Sequence, residues 1–314
     1  MERHDRRRDA QPRPVLRAAV RAGVGSGAHR RSQGVGARRG HARRLPVTRF
    51  DTDTGLEPVG EGVFEGRIDP GWFVFVGPNG GYVAAIVLRG MTVAVGDDER
   101  VPRSLTVHYT EPPVEGPIRV MTTIERAGRS MTTVSARMTQ DGRTLALALA
   151  AFSRPRRRPA LSFVDLAPPD VPPADEAPAV AAVPGLPPIT ERYDTRPVLG
   201  SPPFAAGDEA LSGGWLRLAE PRLADPLAVV AYTDAWLPAV FTRTVERVGV
   251  PTVDLTVHFR SALPLPDARP EDFVLCRFHS RVAAEGFLEE DGELWSAGGT
   301  LLAQSRQLAV VVPV

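Results

Sequence analysis

One five-residue string returns halfway along the chain. Leu105-Thr106-Val107-His108-Tyr109 recurs as Leu255-Thr256-Val257-His258-Phe259, 150 residues later. The surroundings repeat with it. An apolar segment, Tyr82–Val95, precedes the first copy and reads as a helix buried on most sides; Pro226–Thr242 precedes the second and also reads as a helix. β-rich segments follow each copy: Ile118–Arg126, Ser130–Thr139 and Thr144–Phe152 after the first, Phe273–Arg281, Ala284–Glu289 and Thr300–Val312 after the second. This order describes an internal duplication of a helix-then-antiparallel-sheet unit. Such a sheet has one apolar face, which its helix covers. Two units joined edge to edge remove two exposed edges, so the expected fold is α+β, one wide sheet with two helices on one side.

Turn chemistry sets the boundaries. Gly62–Ile68 reads as a strand, Gln140-Asp141-Gly142 as a hairpin turn, and Trp215-Leu216-Arg217-Leu218 as the opening strand of the second unit. Ten prolines fall within residues 155–189, a density that neither a helix nor a central strand tolerates. The chain therefore divides into a basic extension (1–45), a first unit (46–154), a proline-rich linker at least partly extended along the surface (155–189) and a second unit (190–314).

The net charge of +1 conceals an asymmetry: residues 1–45 hold 13 arginines against Glu2, Asp5 and Asp9, a local +10, which leaves 1 − 10 = −9 for the rest. The head lacks the apolar core of a secretory signal and reads as a disordered extension or an over-long start-codon choice, with an organelle transit peptide or a nucleic-acid tail as alternatives. The acidic body argues against a dedicated nucleic-acid binder. The chain contains no lysine, which excludes Schiff-base and lysine-dependent phosphate chemistry. Its single cysteine, Cys276, excludes an intrachain disulfide and fits a reducing, cytoplasmic setting. No apolar run approaches the roughly 18 residues of a membrane span.

Dinucleotide-binding, P-loop and nucleophile-elbow motifs are absent. Outside the head, His108, His258 and His279 have no metal-ligand spacing, so no metal is expected. Glu289-Glu290-Asp291, followed by Gly292, reads as a solvated hairpin end. Three polar residues stand out. Asp234 lies in an apolar run, where an unpaired carboxylate is costly. Thr252 enters the repeated strand. Gln307 shares a strand face with Leu301, Ala303 and Ser305, and either hydrogen-bonds inward or faces solvent. Together an aspartate, a hydroxyl and an amide can position and activate a water, and a thioester carbonyl suits such a nucleophile.

The segments Gly77–Ala85 (GPNGGYVAA), Arg103–Pro113 (RSLTVHYTEPP), Asp225–Phe241 (DPLAVVAYTDAWLPAVF) and Leu302–Ala309 (LAQSRQLA) resemble the double-hotdog acyl-CoA thioesterases of the bacterial thioesterase II type, especially their actinobacterial relatives. The resemblance covers roughly residues 48–314. It implies two fused hotdog units, each a curved antiparallel sheet wrapped on a central helix. It further implies hydrolysis of acyl-CoA to free CoA and a carboxylic acid. The family's water-activating Asp, Thr and Gln fall on Asp234, Thr252 and Gln307. Gly80 and Gly81 would open the first helix beside the thioester, where a helix N-terminus favours an oxyanion. CoA is then part of the substrate and no separate cofactor is expected. Ala151 lies near the counterpart of Gln307, so one working site per chain is expected, in a protomer that could form a homo-oligomer. A non-catalytic acyl-group-binding protein and an enoyl-thioester hydratase remain alternatives.

Overall fold

The computed structural model describes residues 46–156, 158–180 and 185–313 of the chain; the basic extension at 1–45 lies outside them. Strands β1 (Glu57–Gly60), β2 (Val63–Ile68), β3 (Val101–Tyr109), β4 (Gly116–Ala127), β5 (Thr132–Gln140) and β6 (Arg143–Ser153) form one half of a sheet. The other half contains β7 (Tyr193–Leu199), β8 (Ala210–Leu218), β10 (Thr252–Phe259), β11 (Val274–Ser280), β13 (Phe287–Ser296) and β14 (Leu301–Val310), with the short β12 (Ala283–Ala284) beside β13. A separate ribbon pairs β9 (Val248–Gly249) with β15 (Val312–Pro313).

The strand order is β1-β2-β4-β5-β6-β3-β10-β14-β13-β11-β8-β7, which reads the same from either end once β1 is matched to β7, β3 to β10 and β6 to β14. The two halves meet antiparallel at β3 and β10, the strands that carry the repeated string. Thr106 stands opposite Thr256, and Leu105 and Val107 face Val257 and Leu255. This is the edge-to-edge junction that the duplication implied, and the fold is a double hotdog.

Helix α2 (Gly80–Val95) is the core of the first half. Asn79 caps it, its side-chain oxygen accepting from the Tyr82 N–H at 3.1 Å, and Gly96 ends it in the left-handed conformation. Its residues from Gly81 to Leu88 are buried, against the sheet and against helix α3 (Pro226–Tyr232). The short helix α1 (Arg49–Asp53) is tied to α3 by Arg222, which donates to both oxygens of the α3 N-cap Asp225 at 2.7 Å and to Asp51 at 3.0 Å.

Two expectations change here. The predicted helix over Pro226–Thr242 stops at Tyr232. The Thr233 hydroxyl donates back to the Val230 carbonyl at 2.7 Å, and Pro238 prevents the helix from resuming before the 3₁₀ turn Ala239–Thr242. The segment between is an irregular loop. The second change concerns strand order: Trp215–Leu218 ends β8, and β7 precedes it as the first strand of its half.

The proline-rich segment straps the outer sheet face. The Trp215 indole donates to the Pro172 carbonyl at 2.8 Å, and Ala177 packs with Trp215, Leu275, Trp295 and Leu301 in a second apolar cluster away from the helices.

Candidate active site

The early end of α3 leaves Asp234 in the loop that follows it, pointed at the start of α2. The Gly81 N–H donates to Asp234 Oδ2 at 3.0 Å, and Asn79 Nδ2 donates to the same oxygen at 2.8 Å and to the Asp234 carbonyl at 2.5 Å. The carboxylate thus sits at the positive end of α2. Burial nevertheless dominates its titration and pushes it up to about 6, opposed by the Gly81 and Gly80 N–H groups and by Asn79. Gly81 carries no side chain because nothing fits: a Cβ there would lie 2.6 Å from the Ala231 carbonyl oxygen and 3.1 Å from Asp234 Cβ. The Tyr109 hydroxyl, at the end of the repeated string, donates to the Gly80 carbonyl at 2.8 Å and closes the other side.

Thr252 and Gln307 come together on neighbouring strands. The Thr252 hydroxyl donates to Gln307 Oε1 at 3.0 Å. Gln307 is only 6% exposed, so its strand face turns inward rather than to solvent. Gln307 Nε2 donates in turn to Glu290 Oε1 at 2.8 Å, and Glu290 Oε2 accepts from the Ala239 N–H at 2.5 Å. Ala239 closes the loop that begins with Asp234, so the far end of that loop is tied to the strands. The charge of Asp234 also helps to raise the Glu290 titration.

Glu290 corrects the reading of Glu289-Glu290-Asp291 as a solvated hairpin end. The hairpin turns at Glu285-Gly286, both at positive φ, and β13 runs straight through the acidic residues. On β13, Leu288, Glu290, Gly292 and Leu294 alternate inward and are buried. Gly292 is no turn residue either: a Cβ on it would lie 2.3 Å from the Ser305 hydroxyl and 2.8 Å from the Phe278 ring. The parity of Glu290 with Leu288 and Leu294 was the available signal. Asn79, the residue before a glycine-led helix, was likewise readable as a cap.

The duplicated half has no counterpart of this network. Leu105 pairs with Ala150 as Leu255 pairs with Gln307, so Ala150, one residue from the expected Ala151, takes the glutamine position. Val134 pairs with Ala150 as Glu290 pairs with Gln307. Counting back from the repeat, Pro102 stands where Thr252 does. The polar network is therefore confined to one of the two pseudo-equivalent places. A cavity of about 670 Å³ lies elsewhere, between the proline-rich strap and the outer sheet face, and none of these residues lines it.

Comparison with known proteins agrees with this architecture. The Acyl-CoA thioesterase N-terminal domain matches residues 68–153, and the Acyl-CoA thioesterase C-terminal domain matches residues 166–311. A solved hot dog protein of unknown function from Alicyclobacillus acidocaldarius is 30% identical, with 84% of this chain and 98% of that one covered at a TM-score of 0.76. A chain provisionally named a thioesterase II from Thermobifida fusca is 29% identical, with 85% and 98% covered and a TM-score of 0.71. An uncharacterized protein of Mycobacterium tuberculosis is 29% identical, over 79% of this chain and 91% of its own.

Proposed function

Because the chain belongs to the acyl-CoA thioesterase family, whose two domain models span most of it, we propose that it hydrolyses acyl-CoA thioesters to CoA and a carboxylic acid through a water activated by Asp234. The observation that carries this reading is the Asp234 carboxylate itself. It is half-buried, held at the N-terminus of α2, and poised to titrate at about 6, where it is ionised at neutral pH yet basic enough to accept a proton.

In this mechanism Asp234 takes one proton from the water as the new C–O bond forms. The Thr252 hydroxyl, which spends its own proton on Gln307 Oε1, accepts a hydrogen bond from the second water proton. As Asp234 becomes neutral, its hold on the Gly81 N–H weakens. That N–H and the positive end of α2 then stabilise the negative charge growing on the thioester oxygen. Collapse of the tetrahedral intermediate breaks the C–S bond, and Asp234 returns its proton to the departing CoA sulfur. Water and thioester enter, acid and thiol leave, and no bond to the protein is made. In this reading the reactive carbonyl meets the first turn of α2 at Gly80 and Gly81.

The test is thiol release from short, medium and long acyl-CoAs. Saturable release with at least one chain length supports the proposal. Binding without release would assign the chain to acyl-group binding, and loss of enoyl absorbance without release would assign it to hydration.

A further inference from the structure

Glu290 is 5% exposed, yet it makes no ion pair with a described residue. Its two oxygens are satisfied by neutral donors, the Ala239 N–H and Gln307 Nε2. A carboxylate placed among core residues without a cation is costly, and a neutral side chain would fill the space at lower cost. Its value lies in what it does to Gln307.

The two ends of a glutamine amide are nearly the same shape and opposite in chemistry. Thr252 cannot select between them, because a hydroxyl donates or accepts equally well. An ionised carboxylate only accepts. Glu290 therefore draws the Nε2 end of Gln307 to itself and leaves Oε1 facing Thr252, 3.0 Å away. The Thr252 proton is then committed to Gln307, and its lone pairs are left to accept from a third partner.

We propose that Glu290 is a positioning residue for the hydrolysis: by fixing the orientation of the Gln307 amide it makes Thr252 an acceptor toward the attacking water. The proposal rests on the thioesterase reading and deepens it. With Asp234 and Thr252 both accepting, the two protons of the water are held and one lone pair points at the carbonyl.

The device is also linked to protons. Burial, with smaller contributions from the charges of Asp234 and Glu289, raises the Glu290 titration to about 7, opposed by its bonds from Ala239 and Gln307. Asp234 faces it from the loop after α3, and Glu289 lies on its own strand. Once protonated, Glu290 can donate its O–H to Gln307 Oε1. The amide then turns over, Nε2 faces Thr252, and Thr252 no longer has its proton engaged.

Three variants test this: Glu290→Gln, Gln307→Glu, and the double exchange Glu290→Gln/Gln307→Glu. The double exchange restores every bond of the chain. The amide at 290 accepts from Ala239 and donates to the carboxylate at 307, which accepts from Thr252. The expected result is a fall in kcat of at least tenfold for each single variant with KM within about threefold, and recovery of most of the loss in the double exchange. Glu290→Gln also loses the higher of two ionisations on the acid side of the kcat profile. A readout that needs no substrate is the NMR signal of the Gln307 side-chain amide, which is expected to shift with pH near 7 in the wild type and not in Glu290→Gln. If Glu290→Gln keeps the wild-type kcat and pH profile, or the double exchange is no better than its singles, the proposal is overturned. Thioesterase activity that depends on Asp234 but not on Glu290 would sink this inference alone. Absence of activity in the wild type would sink the function reading, and the NMR titration still decides whether Glu290 orients Gln307.

Discussion

Thr106 and Thr256, the same position in the two copies of the repeat, lie opposite one another across the β3–β10 junction and share a hydroxyl–hydroxyl hydrogen bond of 3.0 Å. A residue meets its own copy only where the pseudo-twofold axis of the duplication crosses the sheet. The junction is thus a self-complementary contact enclosed within one chain, as in an isologous dimer.

A double-mutant cycle reads the strength of that contact. Thr106→Val and Thr256→Val should each cost up to about 1 kcal/mol, and the pair should cost less than the sum by about 0.5 kcal/mol, because the second loss removes a hydroxyl already left without its partner. Denaturant unfolding of the four proteins measures it. Strict additivity would show that the threonines merely face each other.

Gly81→Ala tests the close approach of α2 and α3. The new methyl group would lie 2.6 Å from the Ala231 carbonyl oxygen, which is backbone and cannot turn aside. The expected cost is about 1–3 kcal/mol of stability. Because the same shift moves Asp234 away from the Gly81 N–H, activity should fall by more than the unfolded fraction accounts for. Thermal melts and kcat on one sample separate the two effects.

Activity and stability should respond to pH in opposite directions. Asp234 works as a base, and Glu290 orients Gln307, only when ionised, so kcat/KM should rise with pH through about 6 and about 7. Burial raises the folded-state titrations of Asp234 to about 6 and of Glu290 to about 7, above their ordinary 3.8 and 4.5. The folded state therefore holds protons more tightly than the unfolded chain. Their stabilising effect is full at low pH and is lost as pH rises through 6 to 7. Asp234→Asn removes one of these groups and should flatten the decline between about pH 5 and pH 8 by on the order of 1 kcal/mol, since Asp234 keeps partial contact with solvent. Melts at the two pH values check the sign.

The architecture was legible because it follows from short-range signals repeated twice. The string LTVHY/F marks a strand in each half, and its recurrence implies two units joined edge to edge; that the repeated strands themselves form the junction is set by the register. Asp141-Gly142 marked a hairpin because both residues adopt positive φ, at 50° and 79°. The site was only half legible. Asp234, Thr252 and Gln307 stand out through their contexts and through resemblance. The hydrogen bond between Thr252 and Gln307, and Glu290 behind them, depend on strand register across 55 and 17 residues of chain. Composition also misled at two places. The apolar run before the second repeat looked like one helix, although Pro238 was present to deny it. Three acidic residues in a row looked like surface, although β alternation sends the middle one inward. In both cases backbone geometry, not local polarity, sets the structure.

The account stands most directly on the identity of the nucleophile, and a single-turnover reaction in H₂¹⁸O, with enzyme in excess over acyl-CoA, determines it. Attack by water held at Asp234 predicts that the acid released in the first turnover carries one ¹⁸O, that Asp234 stays unlabelled, and that Asp234→Asn slows release by about 10²- to 10⁴-fold. Unlabelled acid in that first turnover, with ¹⁸O appearing in the Asp234 carboxylate, would mean that Asp234 attacks the thioester itself and would contradict the mechanism.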